Sequence, residues 1–371
     1  MKRSLFLIMI IVLLVSACAP TPVQTPEASA TAPAPAVSPT PGPTATVAPE
    51  DLYVMTHDSF TVSTDVSQLF QKDNNIRVHF IKSGDAGALV NKAILTKDAP
   101  QADVIYGIDN TFLSRALDGG IFESYNAPAL QNIPQQFKLD PQNRALPVDY
   151  GDVCINYDKN YFSQNKLAVP QTFEDLLKPE YKGLLVVENP ATSSPGLAFV
   201  MATIAHFGAD KYLDYWKSLR DNGVQVVDGW ETAYYTNFSA SSGKGNQPMV
   251  VSYASSPAAE VIYATEKPLE SSTASLVGPG MCFRQVEFIG IVKGTKHRAA
   301  AEKFVDYILG QVFQEDMPLQ MYVYPVLDGA RIPNEFHWFT QVPDQPATLD
   351  PAVIDKNRDQ WIADWTKTVI Q

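Results

Sequence analysis

Basic residues are scarce in this 371-residue sequence. Its 28 Lys and Arg stand against 40 Asp and Glu, a net charge of −12, and without clustered cations to neutralise phosphates a general nucleic-acid binder is excluded. Cysteine is scarcer still. There are three, with no C-x-x-C pair, which excludes a disulfide-dense scaffold and gives a zinc site no starting point. The five histidines, His57, His79, His206, His297 and His337, are scattered without metal-ligand spacing. Catalytic and nucleotide motifs are missing as well: there is no G-x-S-x-G, no H-E-x-x-H, no P-loop and no G-x-G-x-x-G,. The Gly243-Lys244-Gly245 and Gly278-Pro279-Gly280 pieces read as turns. Neither an enzyme nor a resident cofactor or metal is expected, although abundant carboxylates leave a glycosidase-type pair open by composition. What is present is a globular composition, 45% hydrophobic and 18% charged, at a length that suits one large domain or two medium ones.

The N-terminus carries an export signal. Lys2 and Arg3 precede eleven apolar residues from Leu5 to Val15, followed by Ser16-Ala17-Cys18. Eleven residues rise only about 16 Å as a helix, short of the ~30 Å of bilayer hydrocarbon, so a cleaved signal over residues 1–17 is the better reading. The run Val15-Ser16-Ala17-Cys18 resembles a bacterial lipobox, which implies cleavage before Cys18 and a lipid on its sulfur. Acyl chains at ~0.8 kcal/mol per methylene would then anchor the chain outside the cytoplasm on the cell membrane. Residues 19–50 hold nine of the 28 prolines among Thr, Ala and Ser. Such a segment buries nothing, so residues 18–50 are expected to be a semi-extended tether. The two bases and two acids of the first 50 residues cancel, so the body carries the whole −12.

From Leu52 onward, short apolar runs alternate with amphipathic stretches. Leu52–Met55, Ile76–Ile81 and Asp103–Gly107 read as strands. Val66, Leu69 and Phe70, then Leu89, Val90, Ala93 and Ile94, fall at helical spacing. The pattern recurs, with strands at 184–187, 224–227 and 249–252 and helices near 195–207, 210–220 and 256–265. This is an α/β architecture with largely parallel strands in two sheets. Segments 150–158 and 282–293 are extended and apolar. If both cross between halves, residues 51–150 with 290–371 form one lobe, 151–289 the other, and the crossings form a two-strand hinge. Ligands of such folds bind in the crevice beyond the strand C-termini.

Polar and aromatic residues gather at those strand ends. Thr56-His57-Asp58, Gly84-Asp85, Gly107-Ile108-Asp109, Thr192-Ser193-Ser194, Gly229-Trp230-Glu231 and Ser252-Tyr253-Ala254 each follow a predicted strand. Singly, each is a helix cap or turn. Together, Trp230, Tyr253 and Tyr322 with Asp85 could receive a flat cation by stacking and charge.

In order along the chain stand T-H-D-S-F from Thr56, Y-G-I-D-N from Tyr106, V-D-Y-G from Val148, T-S-S-P-G-L from Thr192, G-W-E-T-A-Y from Gly229, S-Y-A-S-S-P-A from Ser252, M-Y-V-Y-P-V from Met321 and Q-W-I-A-D-W from Gln360. With this set, the body resembles the thiamine-binding lipoproteins and periplasmic proteins of ABC importers, within the type II periplasmic-binding superfamily. The resemblance implies two α/β lobes that capture thiamine or its phosphates and deliver it to a permease driven by its ATPase. It implies ligand contacts from Trp230, Tyr253, Ser193 and Asp85. His57 falls where the family can place a tyrosine and Tyr322 where it can place a tryptophan; Tyr234 shares the motif of Trp230.

Two rivals remain at this point. The adjacent Tyr234 and Tyr235 suit ferric iron in the same fold, as a polyamine would suit the acidic cleft, and a tethered extracellular hydrolase is the rival from another class. A disulfide between Cys154 and Cys282 is also expected. Both lie in the proposed crossings, export permits the bond, and lipidation of Cys18 would leave them as the remaining thiols.

Overall fold

Runs of apolar and β-branched residues become strands, and each amphipathic stretch between them becomes a helix laid on the sheet. The computed structural model describes residues 48–240 and 244–371. The export signal, the lipidation of Cys18, the tether as far as residue 47 and the Gly243 turn lie outside the described residues. The strands are β1 (Glu50–Thr56), β2 (Ile76–Lys82), β3 (Val104–Asp109), β4 (Phe122–Glu123), β5 (Leu146–Asp158), β6 (Leu185–Glu188), β7 (Gln225–Val227), β8 (Met249–Tyr253), β9 (Thr273–Leu276), β10 (Phe283–Val292) and β11 (Tyr324–Pro325). Glu50, assigned to the tether, already pairs with Ile76. Among the described residues no helix is long and apolar enough to cross a membrane.

Helices form where caps and periodicity agree. α1 (Thr64–Asn74) starts at Ser63, whose side chain accepts from the Val66 amide, and stops at Asn75 in the left-handed region, φ 53°. Asp85 caps α2 (Ala86–Leu95). α3 (Leu113–Gly119) and α4 (Lys159–Gln164) are short. Pro195 and Pro257 occupy the first turns of α5 (Ser194–Phe207) and α7 (Ser256–Tyr263), on either side of α6 (Tyr212–Asp221),. The C-terminal third adds α8 (Arg298–Ile308), α9 (Gln311–Gln320), α10 (Asn334–Phe339) and α11 (Pro351–Val369).

Strand order is β2-β1-β3-β10-β5-β8-β6-β7, with β4 on β10 and β9 and β11 on β5. Two parallel sets, β2-β1-β3 and β8-β6-β7, are therefore spliced by the antiparallel pair β10 and β5. Where two separate sheets were expected, one curled sheet runs through both sets, because β5 is 13 residues long and reaches partners on both sides. Cys154 of β5 and Cys282, just before β10, are joined as a disulfide with a Cα–Cα distance of 4.4 Å. α11 packs Trp365 edge-on against Trp216 of α6, centroids 5.3 Å apart, while Arg358 donates to Ser114 of α3.

Both partners of β10 bulge at one level, β5 at Val148 and β3 at Gly107. The register of β10 slips between Glu287 and Phe288 against β5, and between Phe288 and Ile289 against β3. A double slip of this kind re-aims side chains. Just before the slip, in the regular register, Glu287 lies directly opposite Asp149, two acids side by side at the edge of the core.

Candidate ligand-binding site

The loops that follow β1, β2, β6, β7 and β8 converge with the turn after α9 on a cavity of about 300 Å³. That is the low end of small-molecule sites. Five of the seven residues expected to contact ligand line it: His57, Asp85, Trp230, Tyr253 and Tyr322. Ser193 does not. It is fully buried behind the wall with its Oγ beside Asp85, and Ser194 takes the lining position. Tyr234 lies outside the lining as well, stacked behind Trp230.

The reason is a π-helical turn, Thr232–Asn237, which starts directly after Trp230-Glu231. Its wider pitch turns the register of the tyrosine pair. Tyr235 faces the cavity and is 47% exposed, whereas Tyr234 is buried and donates its hydroxyl to Glu260 Oε1 at 2.6 Å. Trp230 stacks on Tyr234 with centroids 4.9 Å apart and planes at 19°, and meets Tyr235 edge-on. Its indole N–H donates to Ser252 Oγ at 2.9 Å, so the ring is fixed from two sides. Tyr253 donates to Gln285 Oε1 at 2.6 Å, and Gln285 in turn donates to Asp109. Tyr322 has φ 59°, a left-handed conformation costly for an aromatic residue,. The Ser255 hydroxyl bonds its carbonyl, and Tyr263 meets its ring at 89°.

His57 owes its place to Gly107. That glycine has φ +94°, and a Cβ there would lie 2.1 Å from the imidazole. The His57 Nε2 sits 3.7 Å from Glu287 Oε2, an ion-pair distance too long for a hydrogen bond,. Burial works against a charged His57, but Glu287, with Asp85 and Asp58 behind it, outweighs that and raises its pKa. Asp85 is raised too, by burial first, with Ser193, the Ala86 amide, His57 and the Trp230 amide opposing.

Below the cavity lies a layer of buried acids. Burial pushes Asp109 up to about 7, against hydrogen bonds from Thr111 and Gln285. Asp149 is raised well above the carboxylate range by burial and then by Glu287, while it accepts the Tyr106 hydroxyl. Glu188 is raised well above its range by burial and then by Asp85. Lys82 is the cationic lysine in the lining, and its ammonium donates to the Asp58 carbonyl at 2.6 Å. The arrangement is an aromatic box with acids in its wall and buried acids beneath it, suited to a flat or positively charged organic ligand,.

Glu287 and Tyr235 belong to the lining although the sequence reading did not place them there. A signal for Glu287 existed: a lone acid inside the apolar run Val286-Glu287-Phe288-Ile289 is a charge that burial does not tolerate without a partner,. Among the described residues no group of three or more His, Cys, Asp and Glu is arranged to hold a metal ion. Behind the aromatic wall is a second hollow of about 840 Å³, reached by Tyr234, Tyr235, Glu260 and Lys159.

Residues 99–343 match the family described as bacterial extracellular solute-binding protein. A thiamine-binding periplasmic protein of Escherichia coli (strain K12) is 28% identical over 326 residues, spanning 86% of this chain and 93% of its own. The solved structure of a periplasmic thiamin binding protein is 25% identical and superposes with a TM-score of 0.76, over 88% of this chain and 98% of its own. The apo ferric ion-binding protein A of Pasteurella haemolytica, 19% identical with a TM-score of 0.68 over 86% of this chain and 98% of its own, shares the fold.

Proposed function

The chain belongs to the bacterial extracellular solute-binding protein family, and from that premise we propose that it captures thiamine or a thiamine phosphate in this cavity and hands it to a membrane permease. Its fold is that of the type II periplasmic-binding proteins, and the relatives are binding proteins, not enzymes. The observation that carries the reading is the Trp230 ring, braced by Tyr234 and Ser252 at the edge of a cavity floored with acids. Thiamine is a flat pyrimidine joined to a permanently charged thiazolium, and such a cation gains from an aromatic face in a desolvated site.

In this reading residues 51–150 with 290–371 and residues 151–289 are two lobes, and β5 and β10 are the hinge. Bonds already run across the cavity rim: the Ala88 amide donates to the Thr192 carbonyl at 3.2 Å, and the Trp230 amide to Asp85 at 3.2 Å. A ligand that touches both sides favours the closed arrangement, the form a permease would read. The export signal, lipid on Cys18 and the tether would keep the body at the outer face of the membrane, beside an ABC permease and its ATPase.

Calorimetry with thiamine, its mono- and diphosphate, the isolated pyrimidine, spermidine and ferric citrate tests the ligand. Tight binding of a thiamine form, recovered unchanged after incubation with radiolabel, is the expected result. Tight ferric or polyamine binding without thiamine binding, or turnover of the label, would overturn it. Iron is the weaker reading here because Tyr234 commits its hydroxyl to Glu260, and burial, then Glu260, holds that phenol protonated.

A further inference from the structure

Asp85 is the acid on which the sequence reading put the ligand's counter-charge, yet its oxygens are occupied. Oδ1 accepts from the Ala86 amide at 2.7 Å, capping α2, and Oδ2 accepts from the Trp230 amide across the rim at 3.2 Å. A carboxylate used in this way ties one wall of the cavity to the other. Glu287 is differently placed. It lines the cavity beside the bulges of β5 and β3, its side chain 11% exposed, and among the described residues its ion-pair partner is the His57 imidazole at 3.7 Å. The His57 Nε2 itself is sealed from solvent without a hydrogen-bond partner.

Behind Glu287 stands Asp149, opposite it in register and bonded to Tyr106. Two adjacent acids cannot both ionise cheaply. Asp149, the deeper of the two, is the one that holds a proton, raised by burial and then by Glu287, while Glu287 is the acid of the pair that faces the cavity.

Resting on the thiamine reading above, we propose that Glu287 meets the ligand's positive charge, that the proton on His57 competes with the ligand for it, and that Asp85 is a latch between the walls. A docking cation then expels the His57 proton to the solvent, and neutral His57 remains beside it. Facing His57 from the surrounding elements are Glu287 of β10, Asp58 of its own loop, Asp85 at the start of α2 and Tyr106 of β3, whose ring is 6.0 Å away. Lys82 of β2 and Glu231 line the same space. Tyr106 and Tyr253 are held protonated by burial, so neither contributes near neutral pH. Asp109 does titrate in this range, and its variant is therefore the control.

The test is thiamine affinity by calorimetry between about pH 6 and pH 8, in buffers of different ionisation enthalpy, with the uncharged pyrimidine half as second ligand. In the unaltered protein, affinity for thiamine should rise about tenfold or more with pH and protons should be released, while the pyrimidine shows neither. His57→Gln should flatten the slope, and Asp109→Asn should keep it. Glu287→Gln should weaken thiamine about tenfold or more yet leave the pyrimidine within about twofold, whereas Asp85→Asn should weaken both alike. A slope that persists in His57→Gln, or charge selectivity lost in Asp85→Asn and kept in Glu287→Gln, would overturn the assignment. NMR titration of His57 in ligand-free protein separates this from the thiamine reading. Glu287→Gln should lower the His57 pKa whether or not thiamine binds, and an unmoved His57 refutes the pair even where thiamine binds tightly.

Discussion

Replacing Trp230 by alanine isolates the stacking contribution that the thiamine reading requires. A cation held against a desolvated indole is worth up to about 2 kcal/mol. The apolar surface that ligand and indole cover on each other adds about 1 kcal/mol, at ~25 cal/mol per Å² over some 40 Å². The sum, about 3 kcal/mol, weakens binding about a hundredfold. The fold should notice less. The stack on Tyr234 is worth ~0.5–1.5 kcal/mol, and Ser252, once deprived of the indole donor, still shares a hydrogen bond with Ser256 at 2.9 Å. The bond between the Trp230 amide and Asp85 uses the backbone and survives the change. At an unfolding entropy of about 0.7 kcal/mol/K for a body this size, the melting temperature should drop by only about 2 °C. Trp230→Phe keeps a ring face and gives up the N–H bond, so its loss of affinity should stay within about tenfold. Calorimetry and thermal melts of both variants give the comparison. Unchanged affinity in Trp230→Ala at an unchanged melting temperature would refute the reasoning and remove Trp230 from the site.

Gly107→Ala should cost stability through its φ of +94° and displace His57, whose ring lies 2.1 Å from the new Cβ; binding should fall more steeply than in Trp230→Phe, checked by calorimetry beside a melt,. Cys154→Ser removes a bond that closes 128 residues, worth ~4–5 kcal/mol in the chain-entropy model; the melting temperature should fall by about 6 °C while thiamine affinity changes little, and free thiols counted in the denatured, unreduced body should be absent before the change and one after it,. Asp109, held at about 7 against an ordinary 3.8, binds a proton in the folded state that the unfolded chain releases. Stability should therefore fall as pH rises from about 4 to 7, and Asp109→Asn should make that fall shallower in melts across the range. Small-angle scattering should show a smaller radius of gyration with saturating thiamine, and an unchanged radius would count against closure by the ligand.

Much of the frame was legible because its signals are local. Leu184–Val187 and Met249–Val251 are unbroken apolar runs, Ile76–Ile81 is a β-branched and aromatic run alternating with Arg77 and His79, and Ser63, Asp85, Pro195 and Pro257 are caps or first-turn residues that act within four positions of themselves. The continuity of the sheet was not legible. β5 contains Pro147, Asp149, Gly151 and Asp152, which interrupt the pattern of a strand that is nonetheless paired along its length. β4 and β11, two residues each, are too short to carry any period. α9 hides behind Pro318. Within the site, the aromatic residues were found because they cluster in motifs. The choice of Tyr235 over Tyr234 depends on a π-helical turn, and the meeting of Glu287 with Asp149 on the pairing of two strands far apart in the chain, and neither can be read from local periodicity.

The same tryptophan also makes the molecule its own gauge. All five tryptophans lie among the described residues. Trp216, Trp361 and Trp365 are sunk in the core, Trp338 is 68% exposed on α10, and Trp230 alone of the five lines the cavity. Four indoles supply a constant background emission, and one changes surroundings when the cavity fills. An electron-poor ring laid on Trp230 would quench that fraction of the light, so occupancy becomes readable by fluorescence in dilute, unlabelled protein.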